Sequence, residues 1–354
     1  MPHEGSVRGI AMGLTGKRGG QPTINDVARL SGVSKKTVSR VINRSPLLND
    51  TTRSKVEAVI AEIGYVPNPQ ARALALRRNF LIGLIHDNPN AQMILNFQEG
   101  VLDAIRNTEF ALVVRPVDRK SPTLHDDIRA FIEQQRLYGV LLLPPLSESD
   151  ELAALCRDLG CNYVRMGSAK LDDEAHLVES NDRHAVAKAI NFLIELGHKR
   201  IGIVQGPQGF RSAHERELGY RDALEAHGLE RGPELTARGQ YTFESGRDAA
   251  AQLLQSSPRP TAIFASNDEM AAGALHAARE AGIDVPGELS ILGFDDTPIA
   301  AHIWPPLTTV RWPIVDMARA AALKLIHPEA AAQQPSLFLS DLIRRASATA
   351  PKGA

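Results

Sequence analysis

Lys35, Lys36 and Arg40, with Ser39 and Asn43 among them, are the residues whose types and spacing most clearly suggest a chemistry. On a helix over Lys35–Asn43 they share the outer face, while Val38, Val41 and Ile42, at i, i+3 and i+4, turn inward. Cationic and polar groups gathered on one helix face suit phosphate oxygens and the acceptor edges of bases. The flanking sequence reads as the elements needed to hold that face. Thr23, with Asp26 three residues on, resembles a capping box that opens a first helix through Leu30. Gly32 breaks that helix into a tight turn, and Ser34 is a good N-cap for the second. A helix, a glycine turn and a basic second helix form the pattern that enters a major groove.

Charge divides the chain into unlike parts. Residues 17–79 hold 12 Lys/Arg against 4 Asp/Glu, whereas residues 80–354 hold 27 against 36, so a basic head precedes an acidic body. The head gains affinity for DNA by releasing counterions from phosphates, and the body is repelled by them. A merely solvated basic surface has the same charge, but here the positive residues coincide with the turn and its caps.

Length and composition exclude other classes. A chain of 354 residues with 43% hydrophobic content supports two or three domains with substantial cores. No apolar run approaches a membrane span, and Met1–Gly20, rich in glycine and polar residues, reads as a disordered tail rather than a secretory signal. The two cysteines, Cys156 and Cys161, lack His or Cys companions and read as reduced core thiols, so no metal or other cofactor is expected. Gly202, Gly206 and Gly209 miss the spacing of a phosphate-cradling G-x-G-x-x-G loop, and no nucleophile stands beside a base.

From Asn79 onward, apolar runs at 80–86, 110–115, 138–143, 162–166, 200–205, 261–266 and 289–294 read as strands. Amphipathic stretches at 91–107, 183–196, 213–227, 243–254 and 269–281 read as helices between them. The alternation predicts an α/β body of two parallel sheets with a cleft between, and ligands at the carboxyl ends of strands.

Several separated motifs carry a resemblance to the LacI/GalR family of transcriptional repressors. The head contributes Asp26–Ala28, Gly32–Ser34, Thr37–Asn43, Thr52–Arg53, Gly64–Asn68 and Ala71–Leu74. The body contributes Leu196–Ile201, Arg216–Tyr220, Ser266–Gly273, Gly293–Asp296 and Pro305–Val310. The resemblance covers Pro22 to about Asp341. It implies a helix-turn-helix head at 21–67, a hinge helix at 68–79 and a body at 80–354 like periplasmic sugar-binding proteins. That body divides into an N-lobe of about 80–178 plus 308–341 and a C-lobe of about 179–307.

By this resemblance Lys35, Lys36 and Arg40 reach base edges in the major groove, while Thr23, Ser34, Thr37, Ser39 and Asn43 serve phosphates or caps. Asn68 and Ala71 belong to the hinge's DNA contacts, and Leu74 matches the leucine that wedges a central base step in the minor groove. The hinge has Pro69 at a favourable first position, yet about eight residues hold no helix unaided in water. It should therefore order only with a dimer mate and DNA; Leu74 as plain linker packing is the alternative.

The body's effector residues follow by the same route: Arg216, Asn267 and Asp295 match hydrogen-bonding positions, and Tyr241 matches an aromatic one. Each also has a structural use, since Asn267 or Asp295 can cap a helix and Arg216 can be a solvated helix arginine. After the first body strand the family usually reads a proline and paired aromatics, whereas this chain reads Asp87-Asn88-Pro89-Asn90. That substitution gives a more polar wall, with Asp87 and Asn88 as further effector contacts or, equally, as loop caps. Asn181-Asp182 and Ala185 also depart from the common pattern. The expectation is a cytoplasmic homodimeric regulator of carbohydrate-utilisation genes, binding a palindromic operator and controlled by a sugar or glycoside. A nucleobase or nucleoside is the alternative effector; few aromatics, 5% overall, and no second stacking residue near the matched positions weigh against it. A solute receptor or a sugar-processing enzyme leaves the head unexplained.

Overall fold

The computed structural model describes residues 22–42, 48–66, 79–88 and 90–352. The chain falls into two units, residues 1–78 and 79–354. The expected tail, the hinge helix and the hinge and head residues Asn43, Asn68, Ala71 and Leu74 lie outside the described residues.

The head has helices α1 (Ile24–Ser31), α2 (Lys35–Ile42) and α3 (Asp50–Ile63). Val27, Val38 and Val56 are fully buried between them, joined by Val41. Each such side chain contributes about 1.5–3 kcal/mol through burial. Gly32 makes the α1–α2 turn at φ 63°, a left-handed conformation that costs a glycine little. Asn49 caps α3 by accepting the Thr52 N–H at 2.8 Å.

The body holds two six-stranded sheets. The first is built on β1 (Leu81–His86), β2 (Ala111–Pro116), β3 (Gly139–Leu142), β4 (Asn162–Gly167) and β5 (Leu177–Ser180), with helices α4 (Ala91–Ile105), α5 (Leu124–Gln135) and α6 (Asp150–Asp158) between. The second follows α7 (Asp182–Glu195). It uses β6 (Ile201–Gln205), β7 (Thr236–Arg238), β8 (Ala262–Ala265), β9 (Ser290–Asp295) and β10 (Thr308–Arg311), with α8 (Arg211–Ala226), α9 (Phe243–Leu254), α10 (Asp268–Glu280) and the short α11 (Pro298–His302). After α12 (Ile314–Ile326), β11 (Leu337–Phe338) completes the first sheet and β12 (Asp341–Ile343) the second. The orders are β2-β1-β3-β4-β5-β11 and β7-β6-β8-β9-β10-β12, parallel except where β12 runs antiparallel to β10.

Strands covered on both faces must be apolar throughout, and Ile82, Leu84, Ile203, Phe264 and Leu292 are at most 1% exposed. Cys156 and Cys161 lie buried in the first lobe, where desolvation pushes both thiols up to about 12. One sequence boundary moves. Residues 308–311 were expected in the N-lobe, but β10 pairs in parallel with β9 and belongs to the C-lobe sheet, as does β12. Sheet membership is a long-range property that a short apolar run does not disclose.

The chain crosses between lobes three times: from β5 to α7, from β10 to α12, and from β11 to β12. The first and third crossings are tied together. The Ser340 N–H donates to Asn181 Oδ1 at 2.8 Å, and the Asn181 N–H to the Phe338 carbonyl at 3.3 Å. In each sheet the order reverses beside the first strand, and the loops at the carboxyl ends there face the cleft.

Candidate functional site

In the head, α2 buries Val38 and Val41 and leaves Lys35, Lys36 and Arg40 exposed, as its periodicity requires. These three cations make no ion pair among the described residues. The capping residues are occupied locally. Ser34 Oγ accepts the Thr37 N–H at 3.1 Å and lies 3.0 Å from the Thr37 hydroxyl. Thr23 donates its N–H (3.1 Å) and hydroxyl (2.7 Å) to Asp26, holding that carboxyl below its ordinary range. Ser39 is half-buried on the same helix. The result is a rigid helix presenting unpaired positive charge to solvent, a surface matched to a polyanion.

In the body, the cleft between the lobes is lined by Asn88, Asn90, Met93, Leu143 and Pro144 on one side, with Phe210, Ser212, Arg216, Tyr241, Asn267 and Asp295 on the other, and by Trp312 and Ile314 from the second crossing. Arg216 is its anchor. It lies 4% exposed on α8, donating through Nε to Asp182 at 2.9 Å and through a terminal nitrogen to the Ser266 carbonyl at 2.5 Å. Its guanidinium stacks 3.6 Å over the Phe294 ring and stands 3.6 Å from Asp295 Oδ1. Asp182 is fully buried and also accepts from Ser180 at 2.6 Å. In the sequence Asp182 stands out only as a departure from the family pattern, because its partner Arg216 is 34 residues away. It fixes the arginine rather than lining the cleft.

Asp295 ends β9 at φ 116°, a conformation that costs an aspartate about 1–3 kcal/mol and that tends to mark functional positions. Its Oδ1 is buried with no hydrogen-bond partner among the described residues. Desolvation pushes its carboxyl well above the ordinary range, against the pull of Arg216. It does not cap a helix. Asn267 does: its Oδ1 accepts the Met270 N–H at 2.9 Å at the start of α10, and its amide donates to the Tyr241 carbonyl at 3.1 Å. Half of its hydrogen-bonding capacity is committed to structure, and the rest borders the cleft.

Tyr241 sits at φ 62° with its ring tucked against Gly206, where a Cβ would come within 2.6 Å of the phenol. Its hydroxyl lies 3.4 Å from Ser212, and burial raises its pKa. Phe210 packs edge-on to it, with centroids 5.6 Å apart at 85°. The sequence offers no evident second stacking residue near these positions; the fold supplies Phe210 and Trp312, which lie far from Tyr241 in the chain.

Of the polar first-lobe loop, Asn88 and Asn90 line the cleft but Asp87 does not. Asp87 instead lies 3.4 Å from Arg119 Nε, and Arg119 stacks 4.4 Å over Phe210. It therefore acts through Arg119, an ion pair that a loop aspartate's own neighbours do not reveal. Asn88 accepts the Asn90 N–H at 2.9 Å, and Asn90 caps α4. A second contact spans the lobes. The N-cap of α8 is Phe210, which has no capping oxygen, and Glu148 of the first lobe supplies one by accepting the Arg211 N–H at 2.9 and 3.0 Å. Among the described residues lining the cleft there is no histidine or cysteine.

Residues 23–68 match the family described as bacterial regulatory proteins, lacI family, and residues 190–348 match a periplasmic binding protein-like domain. The ribose operon repressor of Escherichia coli K12 is 32% identical over 91% of this chain and 98% of its own length. Among solved structures, the transcriptional regulator CelR–cellobiose complex is 32% identical, with a TM-score of 0.66 over 92% of this chain and 99% of that one. The lac repressor dimer bound to operator and the anti-inducer ONPF is 26% identical, with a TM-score of 0.78 over 94% and 100%. The two-lobed body and the three-helix head are thus found together in proteins of this kind.

Proposed function

Because the chain belongs to the LacI family of bacterial transcription regulators, we propose that it represses carbohydrate-utilisation genes under the control of a small sugar or glycoside. It is a DNA-binding regulator by membership; the operator's form and the effector are the proposal. Acting in the cytoplasm as a homodimer, it reads a palindromic site through Lys35, Lys36 and Arg40, one head per half-site. Leu74 of each hinge wedges the central step.

The observation that carries the effector assignment is a carboxylate at the cleft floor, Asp295, beside the anchored Arg216 and between aromatic walls. Polar groups at fixed positions with apolar rings beside them suit a polyol, whose hydroxyls need partners and whose C–H faces need apolar cover. Two relatives whose names concern ribose and cellobiose support the same class. Ligand bridging Asn88 and Asn90 to Arg216 and Asp295 would favour one lobe arrangement over another. A hinge of about eight residues, too short to hold a helix unaided, would respond to that shift.

A nucleobase is the second reading, favoured by the three aromatic side chains of the cleft. Phe210 and Tyr241 stand perpendicular, however, and offer no parallel slot for a flat ring. The test is operator binding followed by fluorescence anisotropy, with neutral sugars and purines added in turn. Asp295→Ala should abolish the sugar response and leave ligand-free operator affinity intact. A response to hypoxanthine or guanine alone would replace the sugar reading.

A further inference from the structure

Two buried polar atoms at the cleft have no hydrogen-bond partner among the described residues: Asp295 Oδ1, an acceptor, and Trp312 Nε1, a donor. They belong to neighbouring strand ends. Asp295 closes β9, Trp312 follows β10, and the Trp312 backbone N–H donates to the Asp295 backbone carbonyl at 3.4 Å. A ligand resting on the carboxyl ends of these two strands meets both side chains. Asp295 Oδ1 has only the longer ion-pair contact with Arg216 at 3.6 Å, and burying the indole N–H unpaired is unfavourable, so one ligand group that serves both must donate and accept. A hydroxyl does both; a carboxylate or phosphate oxygen cannot donate to an ionised Asp295.

The charge around this pair points the same way. Among the described residues lining this cavity, Arg216 and Asp295 are the charged ones, and Asp182 backs the arginine at 2.9 Å. With Asp295 ionised, the three groups sum to one negative charge; with it protonated, to zero. Neither state leaves a positive charge to receive an anion. Arg119, which stacks on Phe210, is already beside Asp87.

We infer that the cleft selects neutral, hydroxyl-bearing ligands over their anionic counterparts, and that Trp312 is a direct ligand contact whose indole N–H, paired with Asp295, sets this specificity. The inference rests on the carbohydrate reading above and narrows it, setting aside uronates and sugar phosphates.

The test compares matched pairs on the full-length protein by titration calorimetry: D-glucose with D-glucuronate, D-galactose with D-galacturonate, and D-ribose with D-ribose 5-phosphate. The neutral member of any binding pair should be tighter by roughly 30-fold or more, because an uncompensated buried anion is strongly disfavoured. Trp312→Phe keeps an apolar ring but removes the donor, and should weaken the neutral sugar by roughly tenfold. The protein has two tryptophans, and Trp304 is 89% exposed, so Trp304→Phe leaves a single reporter in the cleft. An anionic sugar binding as tightly as its neutral partner would overturn the inference while leaving the carbohydrate reading in place. Unchanged affinity in Trp312→Phe would overturn the donor's role. The pair comparison needs no variant, so a misfolded Trp312→Phe protein does not shield the inference. If purines bind and none of the six sugars does, the carbohydrate reading fails and this inference with it.

Discussion

Replacing Arg216 with methionine should destabilise the body far more than a surface arginine would, and a second substitution should recover much of the loss. The guanidinium is 4% exposed and neutralises Asp182, which is fully buried. Its removal leaves Asp182 with only the Ser180 hydroxyl at 2.6 Å, an uncompensated buried charge worth about 3–5 kcal/mol. Asp295, 3.6 Å away, can escape the same cost by taking up a proton, because losing Arg216 raises its carboxyl further. Asp182→Asn alone should cost less, about 1.5–3 kcal/mol, since Arg216 keeps Asp295 as a counter-charge and the Ser266 carbonyl as acceptor. In the double variant no buried charge is orphaned at this pair, and the total should fall about 2–3 kcal/mol short of the sum of the singles. Urea unfolding in the Trp304→Phe background, followed through Trp312, measures all four corners of the cycle. A cost below about 1 kcal/mol for Arg216→Met, or strict additivity in the double variant, would refute the idea that this pair anchors the cleft.

Arg40→Ala should cost about 1–3 kcal/mol of operator affinity and relax preference at one base pair per half-site, read by binding-site selection; uniform weakening on all sequences would make Arg40 a phosphate contact. Leu74→Ala should weaken specific binding more than non-specific binding in salt-matched titrations, and equal losses would reduce Leu74 to linker packing. Burial raises the Asp268 carboxyl from 3.8 to about 7, although it accepts from Thr297 and Thr309. A folded-state value above the unfolded one means stability present at low pH and lost as pH rises from about 4 through 7. The body should therefore unfold at lower urea at pH 8 than at pH 5, Asp268→Asn should flatten the slope, and a pH-independent wild type would contradict the assignment.

The elements that could be read in advance were those with a strong local signal. The i, i+3, i+4 spacing of Val38, Val41 and Ile42 placed Lys35, Lys36 and Arg40 outward, and the uninterrupted apolar runs of β1, β3, β6, β8 and β9 announced buried parallel strands. The edge strands β7, β11 and β12 span two or three residues and owe their conformation to neighbours rather than to their own pattern. At the cleft, Arg216, Asn267, Asp295, Tyr241 and Asn88 line one cavity, a proximity that spacing alone does not reveal. Phe210, Ser212 and Trp312 come from a helix start and an interlobe crossing, so only the assembled topology brings them together. Asp87 stands beside that cavity with its carboxylate 3.4 Å from Arg119, a placement its sequence neighbours do not disclose.

The three crossings set the order in which a nascent chain can acquire its parts. The head's core is complete once Ile63 has left the ribosome, because α1, α2 and α3 lie within one short stretch. Neither sheet of the body is closed until β11 and β12 emerge, and the segment beyond still has to seat Ser347 against Ile291 and Thr308, and Thr349 against His198. About 280 residues separate the two events, roughly 15–60 s at ordinary translation rates. During that interval the head is attached to a body whose two lobes both lack an edge. A ribosome that stops between residues 63 and 343 leaves a finished head on an unfinished sensor, a product whose basic helix is free to meet DNA without answering to any effector.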